Sequence, residues 1–294
     1  MGWGRFRAQS FGELLDAAFT VYRRKFLTIL AIMALFQLPY LAVQLAGERS
    51  VWSSLATLQS GVASPAQLRN ETAGALAAGA VLLVVTVAYY VLLLPLAQAA
   101  VVRVVGDDYL DRPAGIGSAL GLAVHRAGGI IGFVLLEIVV VGVPPAALFA
   151  AGILVGGAVG AGLAVVALVA GVVYAVILVV RLSLGVQALI LERLSPLAAL
   201  RRSLRLTRGS FWRILLFYVV ITVVGSIIGG VLQGVAGIFI GGLSTATQLE
   251  VTSLADGVVS IFTSPFILIL LTLVYYDVRI RREAFDLEML ARSL

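Results

Sequence analysis

Six stretches of this sequence are long and apolar enough to cross a lipid bilayer, at 26–46, 73–105, 127–155, 160–191, 211–242 and 257–278. A chain inside hydrocarbon must satisfy every backbone N–H and C=O itself. Helices and closed barrels do so, and apolar runs of about 20 residues or more select the helix. The predicted fold class is therefore all-α: a polytopic integral membrane protein of six transmembrane helices, read as one membrane domain over 1–294. With 61% hydrophobic and only 12% charged residues, the chain lacks the polar surface a soluble domain needs.

Between the spans lie amphipathic segments. The strongest is 195–217, which opens on Ser195-Pro196, a helix-start signal with Pro in the first turn. At 100° per residue Leu197, Leu200, Leu204 and Phe211 share one narrow sector, with Arg201, Arg202, Arg205 and Arg208 in the next. Such a helix lies in the membrane interface, leucines toward acyl chains and arginines reaching lipid phosphates. Weaker versions occur at 10–26, with Arg23 and Arg24, and at 113–126. The six named arginines are the candidate lipid-headgroup contacts, and anionic lipids the expected partners. The net charge of +6 is thereby assigned to lipid rather than to nucleic acid.

The order of surface helix followed by two spans occurs three times, giving candidate repeats at 10–105, 112–193 and 195–280. Sliding the first surface helix onto the third pairs Leu15 with Leu200, Phe19 with Leu204, Arg23 with Arg208 and Phe26 with Phe211. Gln98-Ala99 and Gln187-Ala188 echo each other in the even spans. Basic residues mark the orientation: of the 21, only Arg49 and Arg69 fall on one side, so both termini are expected to be cytoplasmic. Arginine in place of lysine, with abundant Ala, Gly and Val, suggests a GC-rich bacterial coding sequence, and so the bacterial cytoplasmic membrane as the location.

Glu137 is the residue least at home in its span, since an isolated charge there costs about 3 kcal/mol on insertion scales. Arg181 is its expected partner. At ~1.5 Å per residue, Glu137 counted from Arg126 and Arg181 counted back from Arg193 both lie roughly 16–18 Å from the same helix ends. Gln98 and Gln187 complete the predicted intramembrane polar set. Asp107, Asp108 and Asp111 read as a solvated turn, and His125, the only histidine, as interfacial. Gly225, Gly229, Gly230, Gly234, Gly237 and Gly241 form small-xxx-small patterns, read as close helix packing. The loops at 47–72 and 243–256 read as polar and irregular.

Three stretches carry a family resemblance: SFGELLDAAFTVYRRKF at 10–26, LAALRRSLRLTRGSFWRIL at 197–215 and YYDVRIRREAFDLEML at 275–290. They resemble the membrane domain that precedes the catalytic domain in some bacterial glycerophosphoryl diester phosphodiesterases, and its stand-alone relatives. That resemblance implies a fold and a membrane. It does not imply hydrolysis, because the catalytic domain and its His, Glu and Asp constellation are absent from the sequence.

No catalytic residues, metal ligands or cofactor site are assigned: there is no cysteine, one histidine, and no nucleophile–base pair. The expected function is a non-catalytic integral membrane protein organising lipids or partner proteins, homo-oligomers included. The alternative is a transporter or lipid-handling protein working through Glu137 and Arg181.

Overall fold

A computed structural model describes residues 7–59, 64–113, 115–240, 242 and 245–283. Among them every regular element is helical: α1 Phe11–Arg24, α2 Phe26–Gln59, α3 Pro65–Ala88, a π-helical turn Tyr89–Leu93, α4 Leu94–Tyr109, α5 Ile116–His125, α6 Ala127–Val155, α7 Gly157–Leu182, α8 Gly185–Leu191, α9 Pro196–Thr207, α10 Phe211–Ile240 and α11 Thr245–Glu283. Six are long and apolar enough to span a membrane, with α3–α4 and α7–α8 each counted as one.

Local chemistry sets the starts. Ser10 caps α1 through a reciprocal pair: its hydroxyl accepts from the Glu13 N–H at 3.3 Å, and the Glu13 carboxylate accepts from the Ser10 N–H at 2.7 Å. Ser64 and Gln67 repeat the device at α3. Between α6 and α7 the chain reverses through Gly156 and Gly157, both with positive φ. Gly152 then lets α7 approach, because a Cβ there would lie 2.7 Å from the Ala164 backbone nitrogen.

The packed core sits at one end of the bundle, the end that carries both Gln9 and Arg281. There α4, α8 and the last third of α11 lie against one another. Val101, Val104, Ala188, Leu189, Ile269 and Tyr275 are buried, and Tyr109 stacks on Tyr276 with centroids 4.2 Å apart. The surface helices wrap this core in a cyclic order: α5 packs on α4, α9 on α8, and α1 on α11, while α2 closes against α11. Farther along the spans, Leu154, Val166, Ile227 and Val231 are exposed, as side chains facing lipid are.

Three expectations are corrected. Residues 47–59 and 65–72 are helical extensions of α2 and α3, and α11 begins at Thr245. Hydropathy marks where the hydrocarbon ends, whereas a helix continues past it wherever propensity allows. The fourth span breaks at Ser183–Leu184, where the Phe133 ring occupies the space a Cβ on Gly185 would need. On α10, Gly225, Gly229, Gly230, Gly234 and Gly237 have nothing within 4 Å of an added Cβ, so among the described residues no close helix approach depends on them; Gly241 lies outside the described residues.

Candidate functional site

The charged side chains gather where the core is. Asp107 and Asp108 close α4, Glu192 follows α8, and Asp277 lies near the end of α11. Breaking a buried ion pair typically costs 3–5 kcal/mol, so a carboxylate in this setting is stable only with its partners. Asp108 takes Arg24 and Lys25 from the end of α1, the lysine Nζ at 3.6 Å. Asp107 takes Arg103 one turn earlier, at 2.8 Å. The expected solvated turn is thus a buried anchor, with Asp107 and Asp108 only 4% and 7% exposed. Asp111 adopts a positive φ in the turn that follows.

Glu192 accepts from Arg202 Nε at 2.9 Å and from the Tyr275 hydroxyl at 2.5 Å. Arg202 also donates to Glu283 at 2.7 Å. Those bonds to Glu283, and secondarily to Glu192, hold the Arg202 guanidinium charged well above its ordinary range, against burial pulling the other way. Arg202 therefore fastens α9 to α8 and α11. With its side chain only 14% exposed, it is not free to meet a headgroup.

The other five arginines divide. Arg24, though exposed, spends its charge on Asp108, and Arg23 lies exposed over the Phe19 ring at 6.0 Å. Arg201, Arg205 and Arg208 are exposed, and among the described residues none has a carboxylate partner. Arg201 and Arg205 rim an open cleft of 780 Å³ whose apolar lining includes Leu194, Leu197, Ala198 and Leu204. The leucine sector is split: Leu197 is exposed, while Leu200 turns inward with Ala199, Ser203, Leu206 and Thr207. The small residues allow α9 to sit close to the end of α7. There Ser203 and Thr207 hydroxyls donate to the Arg181 carbonyl at 2.7 and 3.2 Å.

Arg181 and Glu137 form no ion pair. Arg181 occupies the last turn of α7, before the break in the fourth span, and lines a cleft with Ser210, Trp212, Arg213 and Arg281. The two residues are nevertheless level, because they lie between the Val140–Tyr174 and Phe133–Gly185 contacts of α6 with the fourth span. Glu137 remains half-buried on α6, with Tyr218 of α10 in its field and no ion-pair partner among the described residues. Gln98 is half-buried. Gln187 is buried on α8 with its Oε1 unpartnered, and no hydrogen bond joins the two glutamines. His125 is exposed at the end of α5.

Glu192 and Asp277 were missed as organising residues. Their signal is an acid at the end of an apolar span with arginines a turn or two away in sequence. Such an acid reads equally well as a solvated span end.

Six apolar helices over a charge-clasped end define a multi-pass α-helical membrane protein. Residues 161–281, from within α7 to near the end of α11, match the family model described as the membrane domain of glycerophosphoryl diester phosphodiesterase. The matched stretch contains the whole 197–215 segment and the first part of 275–290, and no match to the catalytic domain accompanies it. Comparison with curated proteins and with solved structures returns no match.

Proposed function

We propose that this protein is a non-catalytic module that gathers anionic lipid at the bilayer face carrying its termini. In this reading the membrane is the bacterial cytoplasmic membrane, both termini are cytoplasmic, and the chain is built of three units of surface helix plus two spans. The observation that carries the lipid reading is the exposed arginine edge of α9. Arg201, Arg205 and Arg208 lack carboxylate partners among the described residues, and the first two border an open cleft with an apolar floor. A phosphate on the arginines with an acyl chain over Leu197 satisfies both halves of that surface. The cyclic packing of α5 on α4, α9 on α8 and α1 on α11 supports the three-unit reading. Glu137 and Arg181 form no ion pair, and the cleft that Arg181 lines does not include Glu137, so that cleft offers transport no site joining them.

The test places the full chain in nanodiscs of mixed zwitterionic and anionic lipid and measures the lipid retained by native mass spectrometry. Each exposed arginine near the surface is expected to contribute about 1 kcal/mol toward anionic lipid at low salt. Changing Arg201, Arg205 and Arg208 together to Gln should abolish most of the enrichment. Unchanged enrichment would reject the reading.

A further inference from the structure

A second polar region lies at the opposite half of the bundle, between α2, the π-helical turn before α4, and α11. It forms a half-open cavity of 380 Å³ whose walls carry Gln37, Tyr40, Gln44, Ser260 and Ser264, with the exposed Asp256 at its rim. Polar groups from separate spans converge here, where each unpartnered one is costly in hydrocarbon. The local backbone serves the same arrangement. The turn at Tyr89–Leu93 is π-helical, a form that recurs at functional positions, and it sets two tyrosines beside Tyr40. Ring centroids are 3.9 Å apart for Tyr40–Tyr89 and 6.5 Å for Tyr40–Tyr90.

The hydrogen bonds reveal what the cavity lacks. Gln37 spends its amide nitrogen on the Gly257 carbonyl and Ser260, and Gln44 donates to Glu48 Oε1 at 2.8 Å. Both amide carbonyls stay available as acceptors. Ser260 and Ser264 give their hydroxyl protons to the Gly257 and Ser260 carbonyls at 2.9 and 2.6 Å. Asp256 accepts at Oδ1 from Gln233, which leaves its second oxygen. One turn beyond Gln44 and outside the cavity lining, Glu48 Oε2 is also buried without a partner, so an acid beside the cavity adds to its negative field. No Lys or Arg lines the cavity, and Arg49 beside it is exposed and turned to Glu250 at 3.8 Å. The cavity thus has a surplus of acceptors, aromatic walls and only negative formal charge.

We propose that this cavity binds the ammonium head of a small primary amine. An –NH₃⁺ group brings three donors and one positive charge to a place with spare oxygens and tyrosine rings. The cavity is larger than a bare ion requires, so it has room for the carbon skeleton as well. The amine could be a free solute or the headgroup of an ethanolamine lipid; the chemistry of recognition is the same.

The test titrates ethanolamine, and its uncharged isostere ethylene glycol, into the full chain in nanodiscs of phosphatidylglycerol at constant ionic strength, followed by calorimetry. Ethanolamine is expected to bind saturably and ethylene glycol not to bind. Asp256→Asn and Tyr40→Leu should each weaken ethanolamine roughly tenfold; Tyr40→Leu alone decides if Asp256→Asn fails to fold. Nanodiscs containing phosphatidylethanolamine separate the sources. If the lipid is the ligand, it competes with ethanolamine and is retained by the wild type but not by the variants. If a soluble amine is the ligand, the lipid leaves the titration unchanged. Equal binding of ethylene glycol, displacement by equimolar Na⁺ or K⁺, or binding of neither ethanolamine nor the ethanolamine lipid would each overturn the proposal.

Discussion

Arg213 Nη1, in the first turn of α10, lies 2.7 Å from Asp277 Oδ2 near the end of α11. Both residues also hold Gln9, just before α1: the Gln9 N–H donates to Asp277 Oδ1 at 2.8 Å, and its carbonyl accepts from Arg213 at 2.5 Å and Arg281 at 2.6 Å. Asp277 is only 2% exposed, and Arg281 reaches it as well at 2.9 Å. One carboxylate thereby joins the start of the chain to its last helix, and the cyclic order of the bundle is closed there.

Removing that charge should loosen the closure. Asp277→Asn strands Arg213 in a partly buried setting, a loss of about 3–5 kcal/mol by comparison with broken buried pairs. Thermal unfolding in detergent should show a lower midpoint. Arg213→Gln with Asp277→Asn should recover part of it, because the half-exposed Arg281 can turn to solvent. Simply additive losses would mean that Arg213 and Asp277 do not act as a pair.

Arg202 and its neighbours on α9 should separate cleanly. Arg202→Gln is expected to lower stability, since Glu192 and Glu283 both lose a partner, with little change in lipid selectivity. Arg201→Gln and Arg205→Gln are expected to do the reverse, exposed changes of this kind usually staying within about 0.5 kcal/mol in stability. Detergent melting and retained-lipid analysis on the same samples check both halves.

Two glycines make a matched contrast. Gly185→Ala places a methyl into the Phe133 ring, and overpacking of this kind costs roughly 1–3 kcal/mol. Gly229→Ala meets nothing within 4 Å and should stabilise α10 by up to about 1 kcal/mol through helix propensity. Phe133→Leu should rescue Gly185→Ala and leave Gly229→Ala unaffected.

The cap of α1 should be acid-sensitive. Hydrogen bonds from the Ser10 backbone and side chain, then from Arg7, lower the Glu13 pKa below its ordinary 4.5. A folded-state pKa below the unfolded one gives stabilisation that is complete above pH 4.5 and lost as pH falls through the lower folded value. Amide exchange in the first turn of α1 should accelerate in that acid window. Glu13→Ala should show the faster exchange already at neutral pH.

Topology can be read by cysteine labelling in intact cells. Arg49 and Glu250 approach to 3.8 Å, so the end of α2 and the start of α11 share one side. Cysteines at Ser50 and Gln248 should label from outside, and one at Ser118 on α5 only after permeabilisation. Ser60 and Ser293, the other natural choices, lie outside the described residues. External labelling of Ser118 would reverse the orientation.

The sequence alone determined that this chain crosses a membrane six times as helices. Bilayer thickness and the need to satisfy every backbone group leave an apolar stretch of that length no other regular form. It also determined the amphipathic helices, because helical periodicity is local. Tertiary structure alone decided which charges meet. Arg202 and Arg201 are neighbours in sequence with the same side chain. One is locked to Glu192 and Glu283, and the other stands free of carboxylates among the described residues, because α9 turns Ala199, Leu200, Ser203, Leu206 and Thr207 into the bundle and leaves Arg201 outside. Glu137 and Arg181 are level, since they lie between the contacts Val140–Tyr174 and Phe133–Gly185, yet they form no ion pair. Which way each side chain turns is decided by packing: Glu137 faces Tyr218, and Arg181 opens to the cleft with Trp212 and Arg213. The cavity beside Tyr40 escaped the sequence reading for the same reason. Its polar side chains are scattered singly along separate spans, and only packing brings them together.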